Sequence, residues 1–347
     1  MRSFLGRRVF GSVPASLVRA LADVDAGRGR EEFLRARAPE RLAELARRAR
    51  TESIIGSSAI EGIVVPRGRA ETVLDGAAAP RTDDELALAG YQRALDDVYQ
   101  HPVTTLTLPR LFGWHRAVLL GTRPDIAGQL KRFDNKVVDQ GPDGTLVERF
   151  PTVSAADTPT MLRELVERYE ESRRNGLDHP LFLVAAVVLD FLVIHPFEDG
   201  NGRVARLLTN ALAEREGYSV GRYRSIEALV AGREADYLDA LAASTRGWHD
   251  DQHTVWPWTE FLVSIFVQAY AELEESSKKL DPKQRRAEVA GWLDDRAPVE
   301  FSMAEAQRAL PGIRPEVIRE VLNQRRKTGS VVLLGRGRGA RWKQLAE

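Results

Sequence analysis

The chain has 347 residues, enough for two or three domains that each bury a core. Its 50 basic and 50 acidic residues cancel, so the overall charge does not favour nucleic acid or an acidic membrane as the main partner. Cysteine does not occur in the sequence, which excludes disulfides, thiolate catalysis and cysteine-based zinc sites.

Helical patterns dominate the N-terminal part of the chain. The first stretch, MRSFLGRRVFGSVP, has no apolar run of signal-peptide length, so we expect a cytoplasmic protein with no membrane partner. Apolar residues such as Leu42, Leu45 and Ile54 then recur at helical spacing and predict two helices, with Gly56 and Gly62 as interruptions or ends. The stretches DDELALAGYQRALDDVY and LPRLFGWHRAVLL predict two more helices.

The middle of the chain contains one predicted β-hairpin among further helices. Val137 and Val138 precede the turn sequence GPDG, and Leu146 and Val147 follow it, as in two short antiparallel strands. The apolar stretch LFLVAAVVLDFLVI is shorter than a membrane span and includes Asp190, so it predicts a buried helix. Helices are expected to begin near Thr158, Pro180, Arg203, Ala235 and Thr259.

The C-terminal part has a different pattern. After a predicted linker at 276–286, three helices and two short strands around a Gly/Arg turn follow in the order of a winged helix-turn-helix domain at 287–347. A three-helix packing module explains the pattern nearly as well. In a DNA-binding regulator the contacts would come from one helix and the wing, and the residues are Arg314, Arg319, Arg325, Arg326, Lys327, Arg336, Arg338 and Arg341. Dimerisation or target docking are equal alternatives for this segment.

The sequence HPFEDGNGRVAR, which follows the apolar helix, combines the features of an anion site. It forms a loop that leads into the next predicted helix, and a helix N-terminus attracts phosphate. The backbone amides of Gly200, Asn201 and Gly202 can point at an anion, because glycine permits a tight backbone. Arg203 and Arg206 are three residues apart, so they share a helix face and can bind phosphate oxygens.

Two further residues of this loop suit phosphoryl chemistry. Asp199 offers the hard oxygen ligand that Mg²⁺ prefers beside phosphates. His195 can be neutral near pH 7 and accept a proton from a hydroxyl nucleophile. The P-loop pattern G-x-x-x-x-G-K-[ST] does not occur in the sequence, which excludes a Walker-type nucleotidase.

The same loop matches the signature H-P-F-x-[D/E]-G-N-G-R-x-x-R at every specified position and therefore resembles the Fic family. The likeness extends over roughly 100–270, through GWHRAVLLG, NKVVDQG and WPWTEFL. It implies an all-α bundle with one β-hairpin flap, and a division into an N-terminal helical region (1–100) and a catalytic core (101–275). It also implies transfer of AMP from ATP to a Ser, Thr or Tyr hydroxyl of a target protein, and self-modification or a homodimer would be compatible with it.

The resemblance assigns roles to single residues. His195 would be the base, Asp199 the ligand of Mg²⁺ or Mn²⁺, and Phe197 a core anchor for the loop. The amides from Gly200 to Gly202 would cradle the phosphates, while Arg203 and Arg206 would hold the β- and γ-phosphates.

A second short stretch, SSAIEG, resembles the inhibitory motif [S/T]-x-x-x-E-[G/N] of the same family. Ser57, Glu61 and Gly62 occupy its specified positions. A carboxylate at Glu61 would pair with Arg206 and so remove the group that grips the γ-phosphate. The alternatives are a helix C-terminus with Glu61 in solvent, or a hydrolase in which Glu61 activates a water to remove AMP.

Two other assignments are less specific. In GREADY, Arg233 and Tyr237 fall where family members often read N-R-x-x-Y-Y near the nucleoside, although Tyr237 is equally well explained as a core aromatic. The segment Lys136, Val137 and Val138 would clamp an extended target through backbone hydrogen bonds, or it belongs to an ordinary surface hairpin.

Overall fold

Helices account for most of this computed structural model, which describes residues 2–4, 13–140, 146–278, 282–310, 313–335 and 340–345. Contacts divide the chain into two units, Met1–Leu273 and Glu274–Glu347, and the boundary falls within one long helix. None of the helices in these ranges combines the length and the apolar character that a bilayer crossing requires.

The first unit is a helical bundle with one hairpin. Its described helices are α1 (Ala15–Arg37), α2 (Pro39–Ile60), α3 (Arg67–Leu74), α4 (Asp83–Gln100), α5 (Leu108–Leu119), α6 (Thr158–Asn175), α7 (Pro180–Ile194), α8 (Asn201–Arg215), α9 (Ile226–Ala231), α10 (Glu234–Thr245) and α11 (Trp256–Lys278). Among the described residues, short 3₁₀ turns cover Arg2–Phe4, Ser219–Arg222 and Trp248–Asp250. The helix starts expected at Thr158 and Pro180 are confirmed, and the other three helices begin one to three residues earlier than expected.

Helix α7 is the centre of this core. All of its residues from Leu181 to Ile194 are buried, which agrees with the buried helix predicted from the apolar run. Asp190 remains in that core because Ser3 Oγ donates to it at 2.5 Å and Trp248 Nε1 at 2.7 Å. Burial nevertheless raises the pKa of the Asp190 carboxyl to about 6.

The two glycines near the end of α2 have different roles. Gly62 has a φ of +73° and follows the helix end, as predicted. Gly56, by contrast, lies inside α2, where a Cβ atom would come within 2.9 Å of the Ala228 backbone on α9. A helix-interior glycine is therefore explained here by close helix packing, which sequence periodicity does not reveal.

The hairpin lies between α5 and α6. Its strands β1 (Lys136–Gln140) and β2 (Leu146–Pro151) pair antiparallel, with a register shift between Val137 and Val138. The predicted strand pair is thus present, and its GPDG turn lies outside the described residues.

The second unit has its own core and its own sheet. Its elements are α12 (Pro282–Asp295), β3 (Glu300–Ser302), α13 (Met303–Ala309), α14 (Pro315–Lys327), β4 (Val331–Leu334) and β5 (Arg341–Gln344). The strands pair antiparallel in the order β3-β5-β4, so the sheet has one strand more than the sequence predicted. Trp292 and Phe301 pack edge to face in its core, with ring centroids 4.9 Å apart. The winged-helix interpretation stays a prediction.

The predicted linker at 276–286 overlaps helical structure. Ser276 to Lys278 end α11, and Pro282 to Arg286 begin α12. Residues 279–281 lie outside the described part of the chain.

Candidate active site

The end of α7 places His195 in an unusual backbone conformation. His195 has a φ of +49°, which is rare for a residue with a side chain, although its N–H still donates to Phe191 O at 2.9 Å. Its Nδ1 lies 3.1 Å from Leu192 O. Because a carbonyl only accepts, Nδ1 carries the hydrogen and Nε2 keeps its lone pair. Burial lowers the pKa of the imidazole to about 4, so His195 is neutral at pH 7 with Nε2 as a proton acceptor.

The loop after His195 is held from inside the protein. Phe197 is fully buried, and its ring stacks on His115 with a centroid distance of 3.8 Å. Asn201 Oδ1 accepts the Phe197 N–H at 2.9 Å, and Asn201 Nδ2 donates to Phe197 O at 2.8 Å. The Asn201 side chain therefore fixes the loop, and only its backbone amide is left for the anion site.

The first turn of α8 presents bare backbone to the pocket. Gly200 caps the helix with a φ of +77°, and its N–H donates to Asp199 Oδ1 at 2.5 Å. Asp199 Oδ2 lies 3.6 Å from Arg203 Nη2, and the Asp199 side chain is 45% exposed. At Gly202, a Cβ atom would fall inside contact distance of Glu61 Oε1. The Glu61 carboxylate thus lies directly against the N-terminal backbone of α8.

Glu61 and Arg206 form an ion pair in this position. Arg206 Nη2 donates to Glu61 Oε1 at 2.8 Å and to Ser57 O at 2.9 Å, and its Nε donates to Ser57 Oγ at 2.9 Å. Burial alone would raise the pKa of the Glu61 carboxyl, but Arg206, Arg203 and His195 outweigh it and lower that pKa. The predicted pair between SSAIEG and the signature arginine is therefore present, with Glu61 ionised.

These groups surround one pocket of about 410 Å³. Its lining includes Glu61 and Arg206 and, from the loop and the start of α8, His195, Asp199, Gly200, Asn201 and Gly202. Arg203 is buried beside it, and its Nε has no hydrogen-bond partner among the described residues. A donor of this kind, buried close to a helix N-terminus, suits an anionic ligand.

The carboxylates of the pocket fit a metal ion only as part of a shared site. Among the described residues no cluster of three or more potential metal ligands is found. Mg²⁺ in phosphate sites usually takes one or two carboxylates and completes its shell with phosphate oxygens and water. Asp199, half exposed in the pocket wall, meets that requirement.

The two residues that the sequence assigned to the nucleoside differ in their relation to the pocket. Tyr237 lines the pocket together with Leu238 and Leu241 of α10. Arg233 is not among its described lining residues, since its guanidinium donates to Asp236 at 3.0 Å and to Ser264 Oγ at 2.9 Å.

The hairpin contributes a wall of the same pocket. Val137 and Phe150, which pair across the two strands, both line it. Lys136 is exposed, and the side chain of Val138 lies outside the described residues.

Sequence reasoning missed three residues that hold the loop in place. His115 Nδ1 accepts the Gly128 N–H at 2.9 Å, so its Nε2 donates to Asp199 O at 3.0 Å. Lys131 Nζ donates to Ile194 O at 3.1 Å, and Asn135 Nδ2 donates to Phe197 O at 2.9 Å. The histidine in GWHRAVLL, a polar residue in an amphipathic helix, was the only visible signal for any of them.

Comparison with known proteins finds relatives of this chain. Residues 105–213 match the model of the Fic/DOC family. The chain is 27% identical over 186 residues to the protein adenylyltransferase Fic of Culex quinquefasciatus, an alignment that covers 51% of this chain and 34% of the relative. It is 30% identical over 184 residues to the protein of the same name from Drosophila grimshawi, covering 50% of this chain and 35% of the relative. The chain therefore matches only about a third of the length of these curated relatives.

Solved structures share the fold. A Fic family protein from Desulfovibrio desulfuricans superimposes with a TM-score of 0.66 at 21% identity, covering 97% of this chain and 98% of the other. A Fic domain containing signaling protein from Bacteroides thetaiotaomicron gives a TM-score of 0.64 at 22% identity, covering 75% and 98%. The predicted resemblance and the mostly helical fold are confirmed.

Proposed function

Because the chain carries a Fic domain at residues 105–213, we propose that it is an autoinhibited protein adenylyltransferase. It would transfer AMP from ATP to a Ser, Thr or Tyr hydroxyl of a target protein. The observation that carries this proposal is the shared pocket, which is lined both by His195 and by the N-terminal residues of α8.

The proposed reaction is an in-line displacement at phosphorus. The target hydroxyl gives its proton to His195 Nε2 while its oxygen bonds to the α-phosphorus of ATP. The bond from that phosphorus to the oxygen bridging to the β-phosphate breaks, and pyrophosphate leaves. Backbone amides of α8, with Arg203 and Arg206, stabilise the charge on the phosphates. A magnesium or manganese ion held by Asp199 would supply further charge neutralisation when bound.

Inhibition follows from the position of Glu61. Its carboxylate lies against Gly202 and is paired with Arg206, so it would compete with a phosphate group of ATP for the same guanidinium. ATP would then bind without a contact between Arg206 and its γ-phosphate. Its α-phosphorus would be poorly aligned for attack by the target hydroxyl.

The test compares variants by mass spectrometry after incubation with ATP and Mg²⁺. Glu61→Gly should add AMP-sized mass to itself or to lysate proteins, and the double variant Glu61→Gly with His195→Ala should add none. Asp199→Ala in the Glu61→Gly background should lose most of the labelling, since the metal ligand is removed. Equal labelling with and without His195 would refute the mechanism.

The hydrolase alternative shares this pocket, because an ionised Glu61 is also able to orient a water. Incubation of an AMP-labelled target with the wild-type chain and Mg²⁺ separates the two activities. Release of AMP by the wild type, but not by Glu61→Gly, would favour the hydrolase.

Two strand edges support the proposed target clamp. In the described sheet β1 has β2 as its neighbouring strand, so a further strand would add at the outer side of β1 or of β2. An extended acceptor segment, from another protein or from a second copy of this chain, would add as a third strand next to His195.

DNA binding by the C-terminal unit has weaker support. Several of its basic side chains are already neutralised: Arg325 pairs with Asp294 at 2.7 Å, Arg341 with Glu305 at 3.3 Å and Arg286 with Glu320 at 2.8 Å. Arg336 and Arg338 lie outside the described residues. This alternative is tested by measuring the affinity of the whole chain for DNA at several salt concentrations. If the protein binds the DNA phosphates, that affinity should fall steeply as the salt concentration rises.

A further inference from the structure

A second pocket, of about 510 Å³, opens beside the N-terminal half of α2. Helices α1, α2 and α4 line it together with residues at the end of the Ser219–Arg222 turn. It is larger than the candidate active site and shares no lining residue with it. A volume of this size is typical of sites for small organic molecules.

One wall of this pocket, here called the α2 floor, consists of Leu42, Ala43 and Ala46. The two alanines contribute only methyl groups, so this part of the lining is apolar and takes up little of the pocket. Tyr99 and Tyr223 contribute aromatic rings to the same lining. Apolar helix surface combined with tyrosine rings suits a planar or aromatic body.

The charge of the lining is positive and largely fixed in position. Four arginines line the pocket against one carboxylate. Three of these arginines are each held by an acid, and the pairs are Arg50 with Asp96 (2.6 Å for each of two hydrogen bonds), Arg35 with Glu31, and Arg222 with Glu214 (2.8 Å). The fourth, Arg47, pairs with no carboxylate of the described residues. One uncompensated positive charge therefore remains in the lining.

We propose that this pocket is a binding site for a small aromatic anion. The ring system would lie on the α2 floor, and a single carboxylate, sulfonate or phosphate group would meet Arg47. The single uncompensated charge favours a ligand with few negative charges, in contrast to ATP at the candidate active site. Binding at this pocket does not require AMP transfer, so a test of this site and a test of the proposed function give independent results.

The test uses the fluorescent anion 8-anilinonaphthalene-1-sulfonate and its uncharged analogue N-phenyl-1-naphthylamine as probes of the whole chain. The wild type should bind the anion saturably at one site. Arg47→Glu should weaken the anion at least about tenfold, the loss expected for a charged hydrogen bond, and change binding of the uncharged probe less than twofold. Ala43→Trp should weaken both probes, because it fills the α2 floor.

Arg48→Glu is the matched control. Arg48 is the next residue of α2, is 68% exposed and is not part of the lining, so the same change of charge should leave the affinity for the anion unchanged. Circular dichroism confirms that each variant is folded. Binding of the anion that is equal in the wild type, Arg47→Glu and Ala43→Trp, or an equal loss with Arg48→Glu, would overturn the proposal.

Discussion

Lys131 forms hydrogen bonds to the residues immediately before and after His195. Its Nζ is buried and donates to Ile194 O at 3.1 Å and to Val153 O at 2.6 Å, while its backbone N–H donates to Pro196 O at 2.9 Å. The positive φ of His195 is costly for a residue with a side chain and persists only where neighbouring contacts impose it. Lys131 supplies such contacts from a distant part of the chain.

We therefore predict that Lys131→Met, in the Glu61→Gly background, lowers kcat by at least about tenfold, because it leaves buried carbonyls without donors at a cost of roughly 1–3 kcal/mol each. The KM for ATP should change little, because the substitution leaves the proposed phosphate-binding groups, the α8 amides and the two arginines, unchanged. Lys131→Arg should recover much of the loss. A folded Lys131→Met protein with unchanged kcat would show that His195 is positioned without it.

The protonation state of His195 gives a second prediction at this scale. Burial lowers the pKa of its imidazole to about 4, and the base works only when neutral. The kcat/KM of Glu61→Gly should accordingly stay level as the pH falls from 8 to about 5 and should decline only below that. Measurement of initial labelling rates over this range is sufficient, and a decline centred near 6.5 would indicate an exposed, unperturbed histidine instead.

At the scale of elements, the C-terminus of α2 acts on the N-terminus of α8. Gly62, with its positive φ, lets the chain turn away directly after Glu61, so the helix end itself presents the carboxylate. Ser57, one turn earlier, binds the same guanidinium through both its side chain and its carbonyl. Arg206 is thus held by α2 at three points.

We predict that Glu61→Gly raises the rate of AMP transfer by tens of fold and that Arg206→Ala cancels most of this gain. An ion pair favoured by about 2–3 kcal/mol leaves only one to a few per cent of the molecules with a free arginine. Labelling rates of the wild type, both single variants and the double variant give the coupling between the two sites. Equal labelling rates for the wild type and Glu61→Gly would show that SSAIEG ends a helix and has no inhibitory role.

Elements with a strong local signal could be predicted from the sequence. The continuous apolar run located α7, the turn residues located the hairpin, and the adjacent residues of HPFEDGNGRVAR located the loop and α8. The short elements α3, α9 and β3 were not predicted, since eight residues or fewer show little periodicity.

The supporting contacts of the site could not be predicted in the same way. Lys131 bonds to a carbonyl 63 positions away, Asn135 to one 62 positions away and His115 to one 84 positions away. A single sequence contains no signal for such pairings. Only the three-dimensional packing of α5 and the segment before β1 against the loop brings them together.

At the scale of the whole molecule, the chain contains two separate hydrophobic cores. One belongs to the first unit, and the other includes Trp292, Phe301, Ile318 and Trp342 of the second unit. Each core is made of residues from its own unit. Independent cores of this kind generally unfold as separate cooperative units.

Calorimetry of the whole chain should therefore show two transitions. Phe301→Ala should lower the temperature of only one of the two transitions, because Phe301 is fully buried in the second core. The free energy of unfolding of the second unit should fall by about 3–5 kcal/mol. Labelling by the Glu61→Gly protein should not change when this substitution is added. A single transition that shifts as a whole would show that the two units unfold together.

Gly202 restricts how the proposed inhibition can be lost by mutation. Any side chain at this position would displace the Glu61 carboxylate, but it would also obstruct the helix N-terminus to which we assign the phosphates of ATP. Unregulated variants arising in a population should therefore carry changes at Glu61 or around it on α2 and keep the glycine. The proposed inhibitory carboxylate of Glu61 and the proposed phosphate site meet at the same glycine, so selection for nucleotide binding at position 202 would also preserve the space that Glu61 occupies.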